Sequence, residues 1–312
     1  RQIMNFLRKH LLDIDHLSKD YIYDLLDGIK QIKRKEYKSN IKGKDVCALF
    51  YEDSTRTKLS FQKAVTNLGL NFHNLDVQKS SLSKGETFYN TIKTINSIGM
   101  DLIILRHFSS GACYFLANNT ASSVINAGDG SHAHPTQTLS DLFTIFELDK
   151  KFEDLEISII GDVLYSRVAR STLLGFLKMG SKINILGPKE LTPHVITEIY
   201  ESLDKSYKNK IKFYEDFEKP ILDSNFIMAL RIQKERFDSG SFMNFQTYKW
   251  KIDSDRLKTF NNDILIMHPG PVNEEIELSH EIVHSNRSVI SKQVENGVHV
   301  RQKVIEELLT NE

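Results

Sequence analysis

Short apolar runs alternate with segments whose apolar residues recur every three or four positions, along nearly the whole chain. In the first half the runs are Val46 to Tyr51, Asn71 to Leu75, Leu102 to Leu105 and Val124 to Ala127. After Lys150 they resume with Ile157 to Ile160, Ile183 to Leu186, Ile211 to Tyr214, Phe226 to Leu230 and Ile264 to Met267. Continuous apolar strands separated by helical patterns predict parallel sheets whose crossovers are helices. The fold class is therefore α/β, with two doubly wound parallel-sheet domains joined by crossing helices. The segment Thr136 to Leu148 predicts one such helix, with Leu139, Leu142, Phe143 and Phe146 on one face. A last helix, Val300 to Leu309, has nothing local to pack against and is expected to return to the first domain. The expected division is residues 1–135 plus about 290–312, and about 136–289.

Ligands of open parallel sheets bind outside the carboxyl ends of the strands, so the residues there carry the functional reading. They are Ser54-Thr55-Arg56-Thr57 after the first run, Arg106-His107 after Leu105, Arg167 beyond Gly161-Asp162, Arg231 after Leu230, and His268-Pro269-Gly270-Pro271 after Met267. Phe61, Ala64, Val65 and Leu68 fall at i, i+3, i+4 and i+7, with Gly69 as a C-terminal cap, so Ser54 to Thr57 opens a helix. Free backbone N–H groups, the positive end of the helix dipole, hydroxyls and a guanidinium together suit a phosphate. The same run also reads as an ordinary N-cap beside a solvated arginine.

Composition narrows the classes. The chain has 312 residues, 40% hydrophobic and 26% charged, as expected of a globular protein with more than one core. Its 41 basic side chains balance 41 acidic ones, so no global field favours nucleic acid or an anionic membrane, and any anion site is local. The basic patch around Lys33, Arg34, Lys35 and Lys38 reads as a solvated helix end. Cys47 and Cys113 offer neither a disulfide framework nor metal spacing. No apolar stretch reaches the roughly 18 to 20 residues that span a bilayer, and the beginning of the chain has no signal-peptide apolar region. A cytoplasmic protein is expected. Arginine and histidine at successive strand ends of a neutral chain point to a substrate with several negative charges.

Two further segments sharpen this: Gly128-Asp129-Gly130 leading to His134-Pro135-Thr136-Gln137, and His268-Pro269-Gly270-Pro271-Val272-Asn273. With Ser54-Thr55-Arg56-Thr57, their order and spacing resemble the transcarbamoylase family over nearly the whole chain. Within it the chain is similar to the aspartate branch. Leu230-Arg231-Ile232-Gln233-Lys234-Glu235-Arg236 resembles the loop that receives aspartate, and Gly161 to Ser171 resembles the same branch, with Arg167 as a second carboxylate partner. The Ser-Met-Gly loop and the Cys after the corresponding His of ornithine enzymes are both lacking. Guanidinium forks suit a dicarboxylate and not a cationic side chain.

The resemblance implies that Ser54, Thr55, Arg56, Thr57 and Arg106 bind the phosphate of carbamoyl phosphate. It implies that His134 and Thr55, with Arg56 and Arg106 nearby, hold the carbamoyl oxygen, and that Gln137 and the backbone at Pro269 and Gly270 hold the carbamoyl nitrogen. Arg167, Arg231 and Gln233 would orient aspartate. Ser80 and Lys84 resemble a loop that enters a neighbouring subunit's site, which implies a homotrimer with shared sites; taken alone, that loop reads as a solvated turn. No cofactor and no metal are implied, and regulatory chains or a dihydroorotase as partners stay open. Three positions depart from the family: Lys58 where an Arg is usual, Gln62 for a common Glu, and Glu274 where many relatives have Arg. They keep two alternatives in view, a catalytically silent binding subunit and a carbamoyltransferase for another amino-acid acceptor.

Overall fold

The computed structural model describes residues 9–36, 39–76, 86–231 and 247–310, without the side chains of 76, 247 and 248. Packing divides the chain into two units, one of Arg1–Phe143 with Glu295–Glu312 and one of Thr144–Val294.

The first unit is built on a five-stranded parallel sheet of β1 (His10–Leu11), β2 (Asp45–Phe50), β3 (Asn71–Asp76), β4 (Leu102–His107) and β5 (Ser123–Asp129), in the order β1-β5-β4-β2-β3. β2 is central, and Val46 to Phe50 are all buried, as a strand covered on both faces must be. Leu49, Ile103, Leu105 and Val124 pack with Ile92, Ile95, Cys113 and Leu116 of the flanking helices. Cys47 and Cys113 are buried thiols outside any disulfide, and burial pushes the Cys47 thiol up to about 11. The basic patch follows a helix over Lys19–Lys33, whose last turn holds Lys30 and Lys33 while Ile22, Leu25, Leu26, Ile29 and Ile32 are buried.

The second unit repeats the plan with β6 (Glu156–Ile160), β7 (Lys182–Leu186), β8 (Ile211–Tyr214), β9 (Phe226–Ala229) and β10 (Leu265–Met267), all parallel, in the order β10-β9-β6-β7-β8. Its core includes Ile160, Leu186, Ile227, Ala229, Ile252, Phe260 and Ile266. Both points of division fall inside helices, Pro135–Phe146 and Ile290–Thr310.

Two elements differ from the sequence expectation for definite reasons. β1 is only two residues long, too short to carry a pattern, and is stabilised by pairing with Val124 and Ile125. The last helix begins at Ile290 rather than Val300. Gly297 lowers helix propensity there, but its missing side chain admits Arg301: a Cβ on Gly297 would stand 2.4 Å from the Arg301 guanidinium. Arg301 is fully buried, donates to the Ser60 hydroxyl at 3.0 Å and lies 5.0 Å from the Phe61 ring centroid. Burial lowers its pKa to about 10, against the opposing field of Asp141. This one guanidinium therefore joins the last helix to the helices Thr55–Asn67 and Pro135–Phe146.

Candidate active site

Three neighbouring strands of the first sheet, β2, β4 and β5, end beside one another and deliver the first group of residues. After β2, Ser54 begins the helix Thr55–Asn67 through its carbonyl, which accepts from the Lys58 N–H at 3.0 Å, while its hydroxyl caps nothing. Ser18, Thr87 and Ser166 accept from Tyr21, Asn90 and Ala169 N–H groups, whereas Ser279, like Ser54, caps nothing. The start at Ser54 leaves its first amides and its hydroxyl able to meet an anion. Thr55 and Arg56 are exposed, Ser54 and Thr57 half-buried. Arg56 reaches solvent, yet enough protein surrounds its guanidinium that burial lowers its pKa.

Arg106 lies where the pairing of β4 with β5 shifts register between Leu105 and His107. Such an irregularity re-aims a side chain at a strand end. Its guanidinium donates to the Ala127 carbonyl at 3.2 Å and lies 3.6 Å from the Glu52 carboxylate. One salt-bridged and one backbone contact hold the fork in place.

β5 ends at Asp129, which is fully buried and surrounded by donors. It accepts from Gly111 N–H at 2.7 Å, Asn126 Nδ2 at 2.8 Å and Ala133 N–H at 3.2 Å, and pairs with His132 Nδ1 at 3.0 Å. Burial pushes its pKa up, but the hydrogen bonds from His132 and Asn126 and the charge of His132 outweigh burial and leave it lowered. The other nitrogen of His132 is 3.3 Å from Asp13. Hydrogen bonds to Asp129 and then Asp13 outweigh desolvation and raise His132 to about 10, so it is an imidazolium at neutral pH. Gly130 permits this tight turn, with φ of 49° and Ser110 so close that a Cβ would meet its backbone nitrogen at 2.5 Å.

The clamped turn leads straight into His134, buried at the start of the helix Pro135–Phe146. Proline at the first helical position costs no hydrogen bond. Gln137, half-buried one turn on, donates to Asp141 at 2.9 Å, which fixes its amide and leaves the carboxamide oxygen turned from that bond.

The second unit delivers a separate group. Arg167 opens the helix Arg167–Met179 and is 7% exposed; Ser166 caps it, and buried Asp162 accepts from Tyr165 N–H at 2.9 Å. Arg231 follows Leu230 at the end of β9 and is half-buried. β6 and β9 are paired, so both arginines lie at the carboxyl end of adjacent strands. Gly161, with φ of 125°, allows that approach, since a Cβ there would stand 2.4 Å from the Leu230 carbonyl oxygen. A small cleft at this end is lined by Gly161, Leu230, Trp250, Ile276 and Glu277 among others. The Trp250 indole nitrogen and the second Glu277 oxygen are buried and find no hydrogen-bond partner among the described residues.

Beyond β10, His268 is buried and its Nδ1 accepts from Gly270 N–H at 2.8 Å. That bond assigns the proton to Nε2, 3.1 Å from Glu277. Glu277 also accepts from Asn273 N–H at 2.8 Å, and the His268 N–H donates to Gln293 at 3.0 Å. The loop carrying Pro269 and Gly270 is thus tied down by a buried His–Glu pair. Of the departing positions, Lys58 lies 5.9 Å from the Phe50 ring centroid, and Glu274 is exposed and bonded to His280 at 2.6 Å. Ser80, Lys84 and Gln233 lie outside the described residues.

Ser54 to Thr57, Arg106, His134 and Gln137 therefore belong to one sheet end, and Arg167, Arg231, Pro269 and Gly270 to the other. Sequence reasoning missed the supporting residues Glu52, Asp13, His132, Asp141 and Glu277. Only Gln137 and Asp141 left a local signal, their i, i+4 spacing.

Two family models match the chain, and the second runs into the last helix, most of which packing places in the first unit. Residues 9–147 match the family model for the carbamoyl-P binding domain of aspartate/ornithine carbamoyltransferase, and residues 153–308 that for its Asp/Orn binding domain. The aspartate carbamoyltransferase catalytic subunit of Acetivibrio thermocellus is 41% identical, covering 95% of this chain and 94% of that one. That of Ruminiclostridium cellulolyticum is also 41% identical, over 97% and 96%. Among solved structures, aspartate transcarbamoylase from Trypanosoma cruzi in complex with N-(phosphonacetyl)-L-aspartic acid superposes with a TM-score of 0.86 at 27% identity, covering 96% of this chain and 94% of that one. Ornithine carbamoyltransferase from Pyrococcus furiosus shares the fold, with a TM-score of 0.84 at 24% identity and 95% of both chains covered.

Proposed function

We infer that this chain, which belongs to the aspartate/ornithine carbamoyltransferase family, transfers the carbamoyl group of carbamoyl phosphate to the amine of L-aspartate. The products are N-carbamoyl-L-aspartate and phosphate, an early step of pyrimidine biosynthesis. The observation that carries the reading is the convergence of an uncapped helix start, Arg106 and the His134 turn at three adjacent strand ends. The relatives at 41% identity, named as aspartate carbamoyltransferase catalytic subunits, support the choice of acceptor.

In this reading the amides and hydroxyls of Ser54 to Thr57, with Arg56 and Arg106, receive the phosphate. Thr55, Arg56, Arg106 and His134 surround the carbamoyl oxygen, and Gln137 with the Pro269 and Gly270 backbone orients the carbamoyl nitrogen. The aspartate amine attacks the carbamoyl carbon, a C–N bond forms, and negative charge grows on that oxygen. The C–O bond to phosphate then breaks, and the departing phosphate takes the proton from the amine. Donors already fixed in place stabilise the growing charge more than the ground state, and each is worth about 3 kcal/mol, or 10² to 10³ in rate. His134 acts as a donor to the oxyanion. Arg167, Arg231 and Gln233 hold the aspartate carboxylates, and the first and second units bind carbamoyl phosphate and aspartate respectively.

A homotrimer in the cytoplasm, with Ser80 and Lys84 completing a neighbour's site, belongs to the same proposal. Acceptor competition tests the reading. Carbamoyl phosphate held fixed with aspartate, ornithine and N-acetylated amino acids should give carbamoyl-aspartate, without added metal. Preference for another acceptor would overturn the specificity, and tight binding of a phosphonate bisubstrate mimic without turnover would favour a silent subunit. The mass in solution should be about three times the chain's 35.9 kDa. An active monomer would contradict the shared loop.

A further inference from the structure

The structure surrounds the exposed carboxylate of Glu274 with two imidazoles. Beyond Asn273 the chain folds into a tight turn: Ile276 N–H donates to the Asn273 carbonyl at 3.1 Å, and Glu275 N–H to the Leu278 carbonyl at 2.7 Å. Glu275 adopts a left-handed conformation, with φ of 68°. Its carboxylate accepts from the His280 N–H at 2.8 Å and pairs with Lys251. This turn delivers the chain into the short helix His280–Val283, capped at its end by His284. His280 and His284 are therefore one helical turn apart, with ring centroids separated by 4.4 Å. Glu274 meets both, at 2.6 Å from His280 Nδ1 and 3.7 Å from His284 Nε2. One donor atom from each of the three residues lies within 4.8 Å of the other two, and all three side chains are exposed.

We propose that Glu274, His280 and His284 form a surface binding site for a divalent transition-metal ion of the zinc type. Two imidazoles and one carboxylate are a donor set that zinc accepts, with bonds of about 2.0–2.2 Å and a fourth position filled by water. Tetrahedral donors around such an ion stand roughly 3.3 Å apart, a spacing that the present 2.6 and 3.7 Å separations bracket. Rotation of exposed side chains closes the remainder, because the backbone already presents all three on one side of the turn. Histidines at i and i+4 share a helix face and chelate as a pair. Glu275 and Glu281 add negative charge beside the site, of which Glu275 is shared with Lys251 and Glu281 accepts from the Ser254 hydroxyl. Magnesium and calcium need several oxygen ligands, which this set does not provide. The proposed ion takes no part in carbamoyl transfer. It would bind the turn at Glu274 to the helix at His280 and so hold the segment that runs from His268.

Calorimetric titration of the metal-free full-length protein with zinc chloride tests this. The buried thiols of Cys47 and Cys113 offer no accessible competing ligand. The expected result is one zinc ion per chain, no heat from magnesium chloride, and a rise in melting temperature with zinc. Glu274→Gln and His284→Ala should each weaken zinc binding by about tenfold or more, since changes one sphere further out already cost that much. The His280→Ala/His284→Ala protein should lose both the binding and the temperature shift while keeping carbamoyltransferase activity. Zinc binding unchanged in that double variant, or no zinc bound by the unaltered protein, would overturn the proposal. Glu274→Gln keeps the side-chain shape, so it reads the ligand role even if the double variant folds poorly.

Discussion

Arg56 and His132 act at different distances from the proposed chemistry. In the proposed site Arg56 is assigned to both the phosphate and the carbamoyl oxygen, so Arg56→Ala should lower kcat/KM by at least about 10²- to 10³-fold with unchanged unfolding behaviour. Steady-state kinetics beside thermal melts would show it, and retained activity would remove Arg56 from the site. His132 is the clearest pH-sensitive group. Its folded pKa, about 10, is raised above the ordinary 6.5 by Asp129 and Asp13. A raised value contributes stability that is full below the unfolded pKa and lost as pH rises through the folded one. Melting temperature should therefore fall more steeply between pH 7 and 10 in the unaltered protein than in His132→Asn. Equal slopes would place the alkaline loss elsewhere. Gly128-Asp129-Gly130 was legible as a motif but the clamp around it was not, because Asp13 lies far from Asp129 in the chain and comes near only through the pairing of β1 with β5. That Ser54 to Thr57 open a helix was legible because the apolar period of Phe61, Ala64, Val65 and Leu68 fixes where that helix runs.

Elements were read most easily where burial was complete. The runs Val46 to Tyr51 and Ile157 to Ile160 became strands within a residue of their expected ends, since parallel strands covered on both faces carry unbroken apolar stretches. Polar stretches concealed more. The first part of Ile290–Thr310 is held by Arg301 through Gly297, a fit between distant side chains that no periodicity reports. Arg301→Ala would remove the guanidinium that bonds the Ser60 hydroxyl and packs on Phe61, and leave a cavity there. It should destabilise the protein by about 2–4 kcal/mol in denaturant unfolding. Because Asp141 also receives Gln137, the variant should raise the KM for carbamoyl phosphate in the surviving fraction. A loss below about 1 kcal/mol would show that the guanidinium is dispensable.

For the molecule as a whole, each unit carries its own sheet and its own group of strand-end residues, and the two family models match on either side of residue 150. Both sheets were legible as a repeated strand–helix rhythm. The homotrimer is a proposal that rests on the resemblance of Ser80 and Lys84 and not on core periodicity, which carries no record of subunit contacts. The hydroxyl that Ser54 does not use as a cap has a global consequence. A helix start without its own cap costs about 1 kcal/mol relative to a capped one. An anion that completes those amides returns this stability and binds only the folded chain, so ligand and fold are thermodynamically coupled. Inorganic phosphate, an unreactive product, should raise the melting temperature in proportion to the logarithm of its concentration, and Arg56→Ala should abolish that dependence. The resting protein would then be its own least stable form, and its lifetime in a cell would rise and fall with the supply of what it consumes.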